Sequence, residues 1–239
     1  MSRALDGLYT AIDGTWPAAR SWVQGPWRLR EGHGGGQRVC AATAEGDVSE
    51  ADIADAEAGM RDLNQQPLFM IRQGEDVLDA LLAARGYEIV DPTHIYEAPI
   101  ENLTDVPIPR VTAFSIWEPL AIMKEIWAKG GIGVERLAVM ARAEVKTGIL
   151  ARWNEQPAGV AFAAVQGDIC MVHAVEVLPH QRQQGVARWI MRRAAFWGQA
   201  QGATRLAALC VAENRAANGL YRALGFELAG GYHYRRIPE

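Results

Sequence analysis

The chain has 239 residues, 49% of them hydrophobic and 22% charged, proportions that exclude a disordered, collagenous or disulfide-scaffolded protein and require a buried core of one large or two modest domains. Its 24 lysines and arginines are outnumbered by 28 aspartates and glutamates, so the net charge of −4 offers no general attraction to nucleic acid or anionic lipid, and neither is expected as a partner. Cys40, Cys170 and Cys210 are widely spaced in apolar runs and build neither a disulfide framework nor a CxxC site, so no metal is expected and the thiols suit a reducing cytoplasm. Met1–Leu5 shows no leader-type apolar run, and no run approaches the ~18 residues of a membrane span, so a cytoplasmic protein is expected.

In chain order, Ala4–Ile12 is predicted helical and Trp16-Pro17 ends it. Pro26–Arg30 and Arg38–Thr43 read as two strands of a hairpin-like unit joined by Gly32-His-Gly-Gly-Gly36. Ser49 followed by Asp52 has N-cap spacing for a helix through about Leu63, Pro67–Arg72 is a short strand, and Asp76–Arg85 has helical spacing stopped by Gly86. Tyr87–Glu97 returns to strand. Glu101–Pro109, with Pro107 and Pro109 and no helical period, is the expected linker, dividing the chain into residues 1–104, an N-terminal α+β domain, and residues 105–239. Helices at Glu118–Ala128 and Gly133–Val145 precede an antiparallel meander of Thr147–Trp153, Gly159–Val165 and Asp168–Val177. Helix Val186–Ala200, strand Arg205–Val211, helix Asn214–Leu224 and strand Phe226–Arg235 complete an α+β pattern with a mixed sheet. Asp76–Tyr87 with its following strand echoes Arg215–Phe226 with its own, so the two halves are open to sharing a fold.

Two segments carry chemistry. After Pro179, which cannot continue a strand, a polar loop enters a helix near Gly185. First-turn amides of a helix are unpaired and sit at its positive end, so those around Gln183, Gln184, Gly185, Val186, Ala187 and Arg188 form an anion site, with Arg182 and Arg188 adding charge; a diphosphate fits. In the second segment Asn214, Ala217 and Tyr221 recur on one helix face, Asn214 is placed as the cap and Gly225 as the stop.

The pair resembles the GCN5-related N-acetyltransferase (GNAT) superfamily. The family's pyrophosphate loop, Arg/Gln-x-x-Gly-x-Gly/Ala, is met from Arg182 to Ala187, and its later motif, Asn-x-x-Ala-x-x-Leu-Tyr-x-x-x-Gly-Phe, from Asn214 to Phe226. The resemblance covers residues 108–237 and implies an acyl-CoA N-acyltransferase fold: a mixed, splayed sheet with acyl-CoA between two diverging strands. It further implies that Val175 and Val177 hydrogen-bond the pantetheine arm through their backbone, that the amides from Gln183 to Arg188 hold the pyrophosphate, and that Asn214 meets the pantetheine or an ordered water beside Ala217. Tyr221 is then the general acid, since a phenol of pKa about 10 can protonate a departing thiolate without being ionised at neutral pH. His173, where arylalkylamine-type members carry a histidine, and Glu176 are rival bases. Glu176 points to the opposite face of a regular strand, and a bulge of the kind the family often has would shift it.

Gly32-His-Gly-Gly-Gly36 also resembles the oxyanion-hole loop of esterases, but none of Ser2, Ser21, Ser49 and Ser115 lies in a Gly-x-Ser-x-Gly setting, which leaves a tight turn. The N-terminal half has Leu82 where the motif has Tyr221, Glu75 where it has Asn214, and no phosphate loop. A degenerate GNAT-like half of this kind would not bind acetyl-CoA; it is expected to wall off the acceptor cleft or pair subunits, with Trp16, Trp22, Trp27, Trp117 and Trp127 as candidate wall residues. The expected function is transfer of an acetyl group from acetyl-CoA, as cosubstrate, to a primary amine of a small molecule, amino acid or peptide. The alternative is a non-catalytic acyl-CoA-binding regulatory module. A homodimer is left open, as is the acceptor, toward which Glu125, Glu135 and Glu144 would supply negative charge.

Overall fold

The computed structural model describes residues 3–238; Met1, Ser2 and Glu239, the first two belonging to the segment read for a leader, lie outside them. The N-terminal half runs α1 (Arg3–Thr15), β1 (Arg20–Gln24), β2 (Trp27–Glu31), β3 (Thr43–Ala44), α2 (Glu50–Asp62), β4 (Leu68–Arg72), α3 (Asp76–Ala84) and β5 (Glu88–Pro99). The C-terminal half follows with β6 (Ala113–Ile116), α4 (Ala121–Lys129), α5 (Val134–Arg142), β7 (Val145–Trp153), β8 (Gln156–Gln166) and β9 (Ile169–Val177), then α6 (Val186–Ala200), β10 (Arg205–Val211), α7 (Arg215–Ala223) and β11 (Glu227–Arg236). The fold is α+β: β1-β2-β3 form a small sheet, and the other strands form one mixed eight-stranded sheet in the order β4-β11-β5-β10-β9-β8-β7-β6.

Where local chemistry is strong, the elements begin and end as predicted. Ser49 and Asp52 form a reciprocal capping box on α2, and Gly86 and Gly225 take left-handed φ values of 85° and 80° just past α3 and α7. The meander strands alternate between two covered faces. Val160, Phe162 and Ala164 pack with Met123, Trp127, Val139 and Met140 of α4 and α5, while Ala161, Ala163 and Val172 pack under Ile190, Met191 and Ala194 of α6.

The expected hairpin across Gly32–Gly36 is formed only in part. The two segments meet only at their far ends, where β2 pairs antiparallel with β3 at Trp27–Ala44 and Arg28–Thr43; the rest of Arg38–Thr43 follows a 3-10 turn at Gln37–Val39, and the tight hairpin of β2 is with β1, across Gly25-Pro26. The physical reason lies in the glycine loop. Gly34 and Gly36 have φ of 75° and 99°, and a Cβ on Gly35 would sit 2.5 Å from Val139 Cγ2, so the loop makes its turn, Gly35 N donating to the Gly32 carbonyl at 3.0 Å, flat against α5 and leads into the 3-10 turn rather than directly into a strand.

The two halves interlock. β5 is antiparallel to both β10 and β11, and β11 is antiparallel to both β4 and β5, so each half lends a strand to the gap in the other. The exchange is reciprocal down to side chains. On α7, Asn218 Oδ1 accepts from Tyr96 Oη at 2.8 Å and pairs with His94 Nδ1 at 2.9 Å, both on β5. On α3, Asp79 occupies the equivalent position of the echo and pairs with His233 Nε2 at 2.7 Å and with Arg235 Nε at 2.7 Å and Nη2 at 3.0 Å, both on β11. The hydrogen-bonding Arg235 guanidinium, aided by His233, holds the Asp79 carboxyl below its usual value against partial burial. A folded pKa below the unfolded value of about 3.9 stabilises the fold above that pH and ceases to do so as pH falls through the folded pKa. Replacing Asp79 with Asn is expected to lower the unfolding free energy by about 2 kcal/mol at pH 7, a gap that narrows below about pH 4, as measured by urea unfolding at both pH values.

Candidate active site

The parallel ladder between β9 and β10 runs from Ile169–Arg205 to Val172–Ala208 and stops there. Immediately beyond, β9 bulges. Phe162 of β8 faces His173 and Val160 faces Glu176, so Ala161 alone spans Ala174 and Val175, and Ala174 takes φ 51°. Trp127 Nε1 donates to the Ala174 carbonyl at 2.8 Å and fixes the bulge. The extra residue shifts the alternation and brings Glu176 to the same face of the sheet as His173. It also turns the half-buried Val175 and Val177 away from β10, leaving a crevice at the carboxyl ends of two parallel strands, the usual place for a ligand in a sheet of this kind.

The polar loop lies at the end of β9. Gln183 and Gly185 are both left-handed, with φ of 61° and 78°, a backbone pattern that gathers successive N–H groups around a concavity. No side chain caps α6, so the first-turn amides of Val186, Ala187 and Arg188 have no side-chain acceptor. Arg182 Nε donates to the Val177 carbonyl at 3.1 Å and ties the loop to β9. Arg182, Gln183, Gln184, Gly185 and Arg188 are exposed.

Across the crevice, the Asn214 side chain accepts from Ala217 N at 3.1 Å and is engaged as the cap of α7, with Ala217 half-buried behind it. Tyr221 is buried, its ring 5.4 Å from Tyr96 and 5.6 Å from Phe226, and burial raises its pKa so that the phenol keeps its proton. Asn218, not singled out from the sequence, is the hub here: its Nδ2 donates to the Asn214 carbonyl at 2.7 Å while its Oδ1 takes the β5 contacts. Its place one helical turn beyond Asn214 was the available signal.

His173 does not have the surroundings of a base. Arg38 Nη1 lies 3.1 Å from its Nδ1, and Thr15 Oγ1 lies 2.9 Å from its Nε2. A guanidinium can only donate, so Nδ1 accepts, the ring proton sits on Nε2, and Thr15 passes its own proton to the Ala11 carbonyl. Neither nitrogen has a free lone pair, and burial together with Arg38 puts the pKa well below the ordinary histidine value. Glu176 differs. It is half-buried, burial raises its carboxyl above the usual range against the pull of Arg182, and it packs beside Gly130 at the end of α4, where a side chain would collide with the carboxylate.

A cavity of about 320 Å³ opens at the crevice, between His173 and Ala174 of β9, Leu209–Val211 of β10, and the glycine loop with Arg38. Of the candidate wall tryptophans only Trp16 lines it; Trp27 and Trp127 are core residues, Trp22 packs on the N-terminal core, and Trp117 stacks near Phe162 and Lys146. A larger cleft of about 470 Å³ lies against α1 and β2, but Arg28 and Arg30 there are already paired with Glu45 and Asp13. Among the described residues no cluster of three or more His, Cys, Asp or Glu is placed for a metal, and no helix is long and apolar enough to cross a membrane. A two-dimensional NMR titration of the imidazole resonances is expected to show His173 neutral and unshifted from about pH 8 down to about 5, and protonation of His173 within that range would contradict its assignment as a fixed acceptor.

Residues 117–226 match the family model described as the acetyltransferase (GNAT) family. Comparison with curated proteins finds no match. Among solved structures, a GCN5-related N-acetyltransferase from Kribbella flavida superposes with a TM-score of 0.74 at 21% identity, covering 100% of this chain and 97% of its own. A GNAT-family acetyltransferase structure from Novosphingobium aromaticivorans gives 0.57 at 15% identity over 98% and 99% of the two chains. A tandem GNAT protein from the clavulanic acid biosynthesis pathway gives 0.60 at 11% identity over 83% and 76%. At these identities the likeness is one of fold, and it spans both halves, in keeping with the reciprocal strand exchange. Together with the loop at Arg182–Ala187 and the parted strands, the match establishes that residues 117–226 form an acyltransferase domain of the GNAT family.

Proposed function

We propose that this protein transfers an acetyl group from acetyl-CoA to the primary amine of a small molecule, amino acid or peptide by direct attack on the thioester. The carrying observation is the parting of β9 and β10 after Val172 and Ala208, with the uncapped amides of Val186–Arg188 at one end and Tyr221 in the core cluster against which Val175 and Val177 pack. In this reading the loop amides and Arg182 and Arg188 take the pyrophosphate, and the open edge of β9 at Val175 and Val177 takes the pantetheine arm. Asn214 serves by shaping α7, since its side chain is engaged as the cap.

Glu176 is the base we propose, directly or through a water, because its raised pKa suits it to accept a proton from the acceptor's ammonium. The freed amine attacks the thioester carbonyl, a free N–H at the open edge of β9 meets the oxyanion, and Tyr221 gives its proton to the departing thiolate. His173, held neutral with both nitrogens engaged, positions Arg38 instead. The N-terminal half walls the acceptor side through Trp16 and Arg38 and needs no acetyl-CoA of its own. The three free cysteines fit action in a reducing compartment such as the cytoplasm.

Acetyl-CoA-dependent release of free thiol across an amine panel tests the activity; tight acetyl-CoA binding with no turnover on any amine would instead favour a binding module. Tyr221→Phe is expected to lower kcat by about 100-fold with the KM for acetyl-CoA nearly unchanged, and equal losses in both would remove the acid role. Glu176→Gln is expected to abolish the acidic limb of the kcat/KM profile, and an unchanged limb would exclude Glu176. Gly185→Ala forces a side chain into left-handed backbone and is expected to weaken acetyl-CoA binding about tenfold by calorimetry.

A further inference from the structure

The cavity beside His173 carries more positive charge than its own residues neutralise. Its lining holds two guanidinium groups, Arg38 and Arg136, and one carboxylate, Asp91. Arg38 stands over the Trp16 ring at 5.5 Å, with the hydroxyls of Tyr232 and Tyr234 beside it. Its Nη1 is spent on His173, but its Nε is buried with no hydrogen-bond partner, and among the described residues no carboxylate pairs with it or with Arg136. A largely enclosed cation with an unmet donor is costly in a folded chain unless something else completes it.

The chain goes to some length to put the two arginines together. The glycine loop lies flat on α5, and Gly36, which its φ of 99° reserves for glycine, lies in van der Waals reach of the Arg136 guanidinium, so that guanidinium rests over the segment leading to Arg38. On its other side Arg38 is oriented by His173, which accepts from Nη1 and is itself held by Thr15, so the guanidinium is fixed where it lines the cavity. A fixed guanidinium with no carboxylate partner, sharing one cavity with a second cation and two phenols, is the donor set that recognises a carboxylate.

Resting on the acetyl-transfer reading above, we propose that the acceptor is an amine that also bears a carboxylate, an amino acid or a peptide with a nearby carboxyl group, and that Arg38 and Arg136 hold this carboxylate while the amine points to the β9 bulge and Glu176. Arg38 and Arg136 are specificity residues in this account, and His173 is a positioning residue acting through Arg38. The cavity's volume of about 320 Å³ suits an acceptor of amino-acid size, and Ile132 and Leu209 give it an apolar wall.

The test compares matched ligands that differ only in the carboxylate. In the presence of CoA, N-acetylleucine and N-acetylleucinamide are titrated by calorimetry into the full-length protein, and leucine, leucinamide and 3-methylbutylamine are compared as acceptors by thiol release. The acid is expected to bind at least about tenfold more tightly than the amide, and leucine to exceed the other two in kcat/KM by a similar factor, the difference a charge-assisted hydrogen-bond pair makes. Arg38→Gln is expected to erase this preference, and the exposed Arg136→Gln, which leaves the core untouched, to reduce it severalfold, with the Kd for acetyl-CoA unchanged in both. If Arg38 served only to hold His173, Arg38→Gln would lower acid and amide alike and the preference would survive, which would overturn the proposal. Amide binding equal to that of the acid, or neither ligand binding at millimolar concentration, would overturn it as well. The transferase reading fails separately, by absence of acetyl-CoA binding; acid-selective binding lost in Arg38→Gln would still uphold the carboxylate site.

Discussion

Two parallel strands that begin together and cannot stay together set the geometry of the whole site. β9 and β10 pair as far as Val172 and Ala208, and the bulge at Ala174, clamped by Trp127, then carries β9 away. An unpaired strand edge leaves backbone donors and acceptors for water or a ligand to meet, so the crevice offers a row of partners along its length. The bulge also decides which side chains meet. Without the extra residue Glu176 would point into the layer under α6; with it, Glu176 shares a face with His173.

The N-terminal half completes that crevice from the other side. Because β5 fills the gap between β10 and β11, and β11 fills the gap between β4 and β5, neither half has a finished sheet without the other. The matched polar hubs, Asn218 of α7 against β5 and Asp79 of α3 against β11, show the same solution applied twice, neutral on the side that carries the Arg182–Ala187 loop and ionic on the side that lacks one. The consequence for function is that α1 and the glycine loop reach across to the crevice, where Thr15 and Arg38 engage both nitrogens of His173. A histidine that looks like a base from its strand position is thereby held as a fixed acceptor, which is why the proposed reaction takes Glu176 as its base.

Much of this was legible in the sequence wherever an element carries its own signals. α6 and β10 begin and end where their apolar spacing places them, α2 has its capping box, and α3 and α7 have their stopping glycines. The phosphate loop was readable because its function depends on local backbone, and the echo between Asp76–Tyr87 and Arg215–Phe226 was readable because both stretches make the same helix and turn. What could not be read depended on distant partners. β1 and β6 are five and four residues long and exist as strands only because β2 and β7 lie beside them. The glycine loop turns as read, but the strand expected directly after it is delayed to Thr43 because the loop lies against Val139 on α5. The left-handed Ala174 has no local cause, and the fate of His173 rests on residues from the other end of the chain.

Amide hydrogen exchange of the full-length protein with and without acetyl-CoA tests the central claim, that the parted strands and the loop after them form the acyl-CoA site. The account predicts slowed exchange confined to residues 174–177 and 183–188, with the corresponding strand ends of the N-terminal half, β3 and β4, unchanged. Protection centred on β3 and β4, or no protection of the loop amides at saturating acetyl-CoA, would contradict it.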